Sequence, residues 1–509
     1  MKTDLHQIAE QQADKFRNEI SSNDYFTLVG QLADQLNLDT YLIGGYVRDL
    51  VLKRQSKDAD FVVIGDCIPL AEAVSKALGP NVDFGYFKNF GTAQVKHKEW
   101  ILEFVSARKE SYRQNSRKPE VESGTLEDDQ NRRDLTINAL AIGLNKRNFG
   151  NWLDPFGGLE DIRNMTIRTP LEPAITFSDD PLRMMRAIRF ASQLEFDIEA
   201  DTFKGIEDTK HRLSIISGER IADELNKIIL CRKPSYGFKL LYYSGILQII
   251  LPEMVALAGV ENRDGKAHKD NFFHTLEVLD NVAEKSDDLW LRWAAILHDI
   301  AKPLTKRFIP RDGWTFHGHE EKGARMVPKL FSRLKLPLNE HMRFVEKLVR
   351  LHLRPISLTN EAVTDSAVRR LMFEAGADLE ALMILCRADV TTKNPNKARR
   401  YLQNFDKVEE KMVLVEETDK LRSFQPLLTG ELIMEVFNLP PSKQVGDIKE
   451  ELREAILEGL IKNTMPECLF LSIQIAAKIG VSPGEGFDGA FFLSKEFEPD
   501  ASQSENPIE

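Results

Sequence analysis

Leu42–Ile64 reads LIGGYVRDLVLKRQSKDADFVVI, and its pattern changes twice. Tyr41–Gly44 is a short apolar run, VRDLVLKR has helical spacing, and Phe61–Ile64 is a second apolar run, which predicts strand, helix, strand. Gly44 and Gly45 stand where the first strand turns into the helix. Glycines there let the backbone approach a phosphate closely, with Arg48 on the next turn to neutralise it; the same pair suits a plain structural turn. Asp58 and Asp60 lie two apart at the entry to the second strand, so their carboxylates share a face. Two such charges are costly side by side unless a cation lies between them, and hard oxygen ligands suit magnesium.

Working outward, a hairpin is predicted from Gly91 to Ala107. Within it Glu103 either completes a metal-binding trio or points to solvent from an edge strand. The polar stretch Arg113–Gln130 reads as a mobile loop. Arg132–Leu140 is RRDLTINAL: adjacent arginines suit triphosphate oxygens, and Asp134 is placed to orient one of them. Ser178–Phe190 is SDDPLRMMRAIRF, where Asp180, Arg183, Arg186 and Arg189 fall along one face of a helix. Leu182, Met184, Met185 and Ile188 cover its other sides, so a solvated stripe explains the arginines poorly. From Pro181 onward the periodicity is helical almost throughout.

The strings GGYVRD, DAD, RRDLTINAL, DDPLRMMRAIRFA and ISGERIADEL, between Tyr41 and Leu230, occur in an order and spacing that resembles the class II tRNA nucleotidyltransferases, or CCA-adding enzymes. Bacterial poly(A) polymerases share much of this set. The resemblance implies a polymerase-β-like α/β head with a mixed sheet, followed by an all-α neck, body and tail. It implies magnesium held by Asp58 and Asp60, the catalytic candidates, to which Glu103 is added where it completes the trio. Nucleotide contacts fall to Gly44, Gly45, Arg48, Arg133, Asp180, Arg183, Arg186 and Arg189. Asp180 and Arg183 would read the base: a carboxylate accepts from the exocyclic amine of cytosine or adenine, and a guanidinium donates beside it. Two departures stand out, Asp179-Asp180 where Glu-Asp is usual, and Tyr46 where a small residue is common.

A second constellation lies in WAAILHDIAKPLTKR (Trp293–Arg307). His298 and Asp299, with His274 upstream and Asp389 downstream, resemble the HD metal-dependent phosphohydrolase domain, with Ala301 in a place where glycine is frequent. The resemblance implies a divalent metal there (magnesium, manganese, nickel or iron) on imidazole and carboxylate ligands. It also implies hydrolysis at RNA ends, or a retained scaffold. His317, His319 and His352 are candidates to line the same cleft, in auxiliary or structural roles. The turn NLPPSKQVG (Asn438–Gly446) resembles the end of bacterial proteins in which body and tail embrace tRNA. Lys393, Lys397, Arg399 and Arg400 are the basic cluster nearby, set against a plain solvated helix end.

At roughly 150 residues per domain, 509 residues suggest about three domains. The expected divisions are an amphipathic N-terminal helix (1–23), the nucleotidyltransferase head (24–165), the neck (166–233), the HD body (234–400), an RNA-binding helical tail (401–480) and a disordered acidic end (481–509). A net charge of −11 argues against a protein basic along its whole length, yet leaves room for a local basic face. Cys67, Cys231, Cys386 and Cys468 include no close pair, which fits reduced thiols in the cytoplasm. The longest apolar stretch, Leu240–Val260, is interrupted by Gln248, Pro252 and Glu253, so no membrane segment is expected. The expected partners are tRNA, CTP and ATP, without DNA. A poly(A) polymerase, an enzyme adding only CC or only A, and an HD hydrolase with a nucleotide- or RNA-binding head remain as alternatives.

Overall fold

The first unit is built around a mixed sheet of seven strands in the order β3-β4-β5-β2-β1-β8-β9. These are β1 (Asp39–Ile43), β2 (Asp58–Ile64), β3 (Asp83–Phe87), β4 (Thr92–His97), β5 (Trp100–Ser106), β8 (Ala141–Gly143) and β9 (Trp152–Leu153). Within this sheet β2 and β5 pair in parallel and the other neighbours pair antiparallel. The computed structural model describes residues 16–111, 120–358, 364–392, 394–419 and 426–494. The chain divides into Met1–Gly259 with Lys329–Pro337, and Val260–Pro328 with Leu338–Glu509.

Alternation along β2 gives the head two unlike faces. Ala59, Phe61 and Val63 are buried. Phe61 stacks on Phe104 of β5 at 4.8 Å, and Phe26 of α1 (Asp24–Gln35) meets Phe61 edge-on at 6.0 Å. Helices α2 (Gly45–Val51) and α3 (Ile68–Leu78) pack on the same sheet. The opposite face carries Asp58 and Asp60. Glu103 stands level with Asp60 across the β2–β5 pair. Since β5 lies between β4 and β2, the edge-strand reading of Glu103 does not hold.

Part of the stretch expected to be a mobile loop is ordered. Residues 112–119 lie outside the described residues, but β6 (Arg108–Ser111) pairs with β7 (Glu120–Ser123), and α4 (Leu126–Asn131) follows. The reason is local: Thr125 and Asp128 form a capping box, and Leu126 packs on the apolar cluster of Ile43, Val62 and Ala141. Of the expected N-terminal helix, residues 1–15 lie outside the description, while Ile20 is buried and Phe16 meets Trp152 at 5.3 Å.

The neck comprises α5 (Pro173–Asp179), α6 (Leu182–Leu194) and α7 (Gly218–Ile229). Pro234–Tyr243 packs on α6 and α7, where Gly237 comes so close to Ile228 and Ser192 that a Cβ would clash. The first unit therefore continues past residue 233, the expected limit of the neck.

In the second unit, α8 (Asn271–Ala283), α9 (Leu289–Leu297), α11 (Glu340–Leu351) and α12 (Leu379–Ala388) pack together. Another helix, α10 (His319–Leu334), begins at a histidine. Beyond α13 (Pro395–Asp419), helices α14 (Gly430–Phe437), α15 (Lys443–Leu457) and α16 (Met465–Lys478) enclose a core of their own. The disorder expected from residue 481 is not found up to 494. Gly489–Ser494 forms α17, and Phe492 is buried in that core with Phe487 beside it. Residues 495–509 lie outside the description. Among the described residues no disulfide forms, and all four cysteines are buried. Among the described residues no helix is long and apolar enough to cross a membrane.

Phe61→Ala would leave a cavity beneath Phe26 and Phe104, at an expected cost of about 3–5 kcal/mol. Urea unfolding followed by tryptophan fluorescence would measure it.

Candidate functional site

Gly44 holds the head's carboxylate site close. Its φ of +82° belongs to the region that favours glycine, and a Cβ there would lie 3.0 Å from Asp60 Oδ2 and 3.1 Å from Arg133 Nη1. The turn thus sits directly on a carboxylate and a guanidinium. Burial pushes Asp60 up to about 6 against the pull of Arg133, and Glu103 and Asp58 push the same way. Gln94 Nε2 donates to Glu103 Oε1 at 2.8 Å. Asp58, Asp60 and Glu103 share one face of the sheet, and oxygen donors beside a carboxylate raised in this way are of the kind that a hard divalent cation relieves.

The two arginines of RRDLTINAL are oriented by Asp129, not by Asp134. Asp129 is fully buried and accepts from Arg132 Nε at 2.9 Å and from Arg133 Nε at 3.1 Å. Sequence reasoning missed it because it lay in a presumed loop, although its spacing of three and four from the arginines was a usable signal. Arg133 Nη1 also donates to the Asn138 carbonyl at 3.2 Å.

Asp134 instead pairs with Arg186, whose Nε lies 2.7 Å from its Oδ2. Burial alone would raise the Asp134 pKa, but Arg186 and a hydrogen bond from Asn138 hold it down at about 2. Arg189 is taken up by buried Glu224 at 2.6 Å, with its guanidinium 3.9 Å over Phe190. Arg48 is buried and donates to Asn138 Oδ1 at 2.8 Å and to Asp49 Oδ1 at 3.0 Å. Arg183, 7% exposed, donates to the carbonyls of Thr176 and Arg132. Asp180 accepts from the Leu182 amide at 3.1 Å and lies 3.6 Å from Arg220. Gly44, Gly45, Asp58, Asp60, Glu103 and Arg133 therefore gather at the site. Arg48, Arg186 and Arg189 are engaged in a hydrogen-bonded ion network, and Arg183 reaches the Arg132 carbonyl, next to Arg133.

The second unit holds a denser cluster. His274 lies in the first turns of α8, which Asp270 caps. His298, His352 and Asp389 are the C-cap residues of α9, α11 and α12, and three helix ends of negative polarity favour a cation there. Each imidazole is fixed through Nδ1. His274 bonds Thr391 Oγ1 at 2.8 Å, and His298, His319 and His352 bond the carbonyls of Ala295, Phe316 and Val349 at 2.7–2.8 Å. All four Nε2 atoms are thereby left to face the carboxylates.

His274, His298 and Asp389 form one potential metal set, and Asp299, His319 and His352 another. Asp299 Oδ2 lies 3.2 Å from His298 Nε2 and 3.6 Å from His274 Nε2, while its Oδ1 lies 3.2 Å from His319 Nε2. His298 Nε2 and Asp299 Oδ2 are buried without a well-formed hydrogen bond, though Lys302 Nζ is 2.6 Å from the latter. Burial, with His298 nearby, pushes His352 down to about 4, the neutral form that coordinates. Asp389 is held at about 2 by the hydrogen bond from His274, against the effect of burial. These residues fit a divalent metal. His319 and His352 line the same cleft, as the sequence suggests, and stand in the cluster itself rather than in an auxiliary place; His317 is exposed.

Of the basic cluster, Lys393 lies outside the described residues. Lys397, Arg399 and Arg400 are exposed on α13, and Lys397 and Arg400 flank the Tyr401 ring at 5.6 and 5.8 Å.

A carboxylate-bearing mixed sheet followed by an arginine-lined neck defines a nucleotidyltransferase head, and the second unit's cluster defines an HD domain. The Poly A polymerase head domain matches residues 40–168, the probable RNA and SrmB-binding site of polymerase A matches 195–257, and the HD domain matches 271–394. The A-adding tRNA nucleotidyltransferase of Deinococcus radiodurans is 32% identical over 341 residues, 65% of this chain and 75% of that one. The multifunctional CCA protein of Nitrosococcus oceani is 32% identical over 382 residues, 72% and 88% of the two chains. A CCA-adding enzyme solved with ATP superposes with a TM-score of 0.60 at 22% identity, covering 91% of this chain and 98% of the other. The chain belongs to the tRNA nucleotidyltransferase family of CCA-adding enzymes, in a form that carries an HD domain.

Asp134→Asn removes the charge that balances Arg186. Because the Asp134 pKa is depressed, its contribution is complete above about pH 4 and is lost as the pH falls towards 2. The expected loss at neutral pH is about 1–3 kcal/mol, Arg186 being part-exposed, and the gap to wild type should narrow on acidification. Denaturant titrations at several pH values would measure both effects.

Proposed function

We propose that this chain adds CCA to the 3′ end of tRNA from CTP and ATP, without a template, in the cytoplasm. The observation that carries this reading is the meeting of Asp58, Asp60 and Glu103 with Arg133 beneath the Gly44 turn. Magnesium at the carboxylates supplies Lewis-acid activation for phosphoryl transfer, by the two-metal route that paired carboxylates suit. Gly44 and Gly45 admit the triphosphate close to the backbone, and Arg133, oriented by Asp129, meets its charge. Asp180 and Arg183 face the base and discriminate by leaving polar groups unmatched against uracil or guanine. Lys397, Arg399 and Arg400, with Lys393, meet tRNA phosphates, so affinity falls as salt rises.

Addition of A alone is the second reading, favoured by the Deinococcus radiodurans A-adding relative, which is as similar as the CCA protein. The HD cluster reads as a phosphohydrolase acting on RNA ends such as a 2′,3′-cyclic phosphate. Its metal is magnesium, manganese, nickel or iron, held by His274, His298, Asp299 and Asp389 with His319 and His352.

The test uses a tRNA transcript ending at the discriminator base and a second one ending in CC, with each nucleotide alone and in combination. Two additions with CTP and three with CTP plus ATP establish CCA addition. Extension of the CC-ended tRNA alone establishes the A-adding reading, and a long ATP ladder establishes a poly(A) polymerase. Asp60→Ala should abolish addition and spare hydrolysis of bis-p-nitrophenyl phosphate. Asp299→Ala should do the reverse and lower the metal content measured by mass spectrometry.

A further inference from the structure

The carboxylate face of the head extends beyond its carboxylates. Asp60 is level with Glu103 on β5, Glu103 with Gln94 on β4, and Gln94 with Gly85 on β3. The next same-face row is Val62, Val105, Thr92 and Phe87. Across β3–β5 these rows floor a groove of about 310 Å³ with Glu103 at its inner side and, along β3, Phe87 at one end and Asp83 at the other. Gly85 keeps it open, since a Cβ there would meet nothing within 4 Å.

The outer end is the turn Phe87-Lys88-Asn89-Phe90. Phe87 is 66% exposed and Phe90 67%. Lys88 forms no ion pair among the described residues. Leaving a phenylalanine in water forgoes about 1.5–3 kcal/mol of burial, and here two do so within four residues, on either side of a cation. Aromatic rings that offer a face to any base, with a cation for the phosphates between, are what a single-stranded nucleic acid requires.

The groove's continuity with Glu103 decides the occupant. Three strand spacings and one same-face step place Phe87 roughly 16 Å from Asp60, the span of a short run of nucleotides. A strand whose 3′-hydroxyl reaches Asp58 and Asp60 has to leave the site along some surface, and this groove leaves it on the same face. We propose that the groove seats the last nucleotides of the RNA primer, with bases stacked on Phe87 and Phe90 and Lys88 at their phosphates. This rests on the reading of Asp58 and Asp60 as the extension site.

The test has two arms. In the full-length Asp60→Ala chain, which binds without extending, tRNA carrying 2-aminopurine near its 3′ end reports stacking through its emission. Adding Phe87→Ala and Phe90→Ala should abolish the emission change. In the otherwise wild-type chain, Phe87→Ala should raise the KM for tRNA roughly tenfold, with the KM for CTP or ATP within twofold. Phe87→Tyr should restore the tRNA value and Phe87→Leu should not, since only the ring offers a stacking face. Lys88→Ala should reduce the salt slope of binding by about one. These side chains are exposed, so unchanged thermal melting should confirm the fold. An unchanged tRNA KM and emission in Phe87→Ala, or a leucine as good as a tyrosine, would overturn the proposal. If the wild-type chain adds no nucleotide, the extension reading fails, and the emission arm still decides whether the groove binds RNA.

Discussion

A guanidinium buried as deeply as that of Arg48 must find acceptors, and the ones it finds organise the head and neck. Asn138 accepts from Arg48 and donates to Asp134, Asp134 pairs with Arg186, and Glu224 takes up Arg189. These groups come from α2, from the segment after α4, from α6 and from α7. The network therefore fixes where the neck lies against the back of the Gly44 turn. Leaving any one charge unpaired in such a place costs more than the pair gains, so the arrangement is held by the penalty for its alternatives.

The second unit solves a related problem with imidazoles. Four imidazoles could each present either nitrogen, and a pocket of mixed tautomers would hold no metal well. Backbone carbonyls at helix ends, and Thr391 for His274, take every Nδ1. Lys269 donates to the same Thr391 hydroxyl at 3.0 Å, which fixes that oxygen in turn. The geometry of the cluster is thus set by peptide groups rather than by the ligands themselves.

How much of this was legible in the sequence depended on distance along the chain. Asp58 and Asp60 share a face by the period of a strand, and the arginines of α6 share one by the period of a helix. Glu103 could not be placed that way, because its neighbour Asp60 is set by the pairing of two strands far apart in sequence. The arginines were found, but not their partners: Asp134 and Glu224 lie 52 residues before Arg186 and 35 after Arg189. Composition misled where polar residues hid short ordered elements. The capping box at Thr125 and the ring of Phe492 each anchor a segment that reads as loose. His319 and His352 were legible as liners of the cleft, but their part beside Asp299 is set by the packing of α9, α10 and α11.

The Arg48–Glu224 network also bears on how such a protein can be taken apart and recombined. A junction between head and neck, near residue 170, would separate Asp134 from Arg186 and strand both. The smallest piece that can be moved into another chain with its charges still matched runs from β1 through α7. By their charges head and neck are one module, and the first unit gives way to the second after Gly259, with Lys329–Pro337 returning to it.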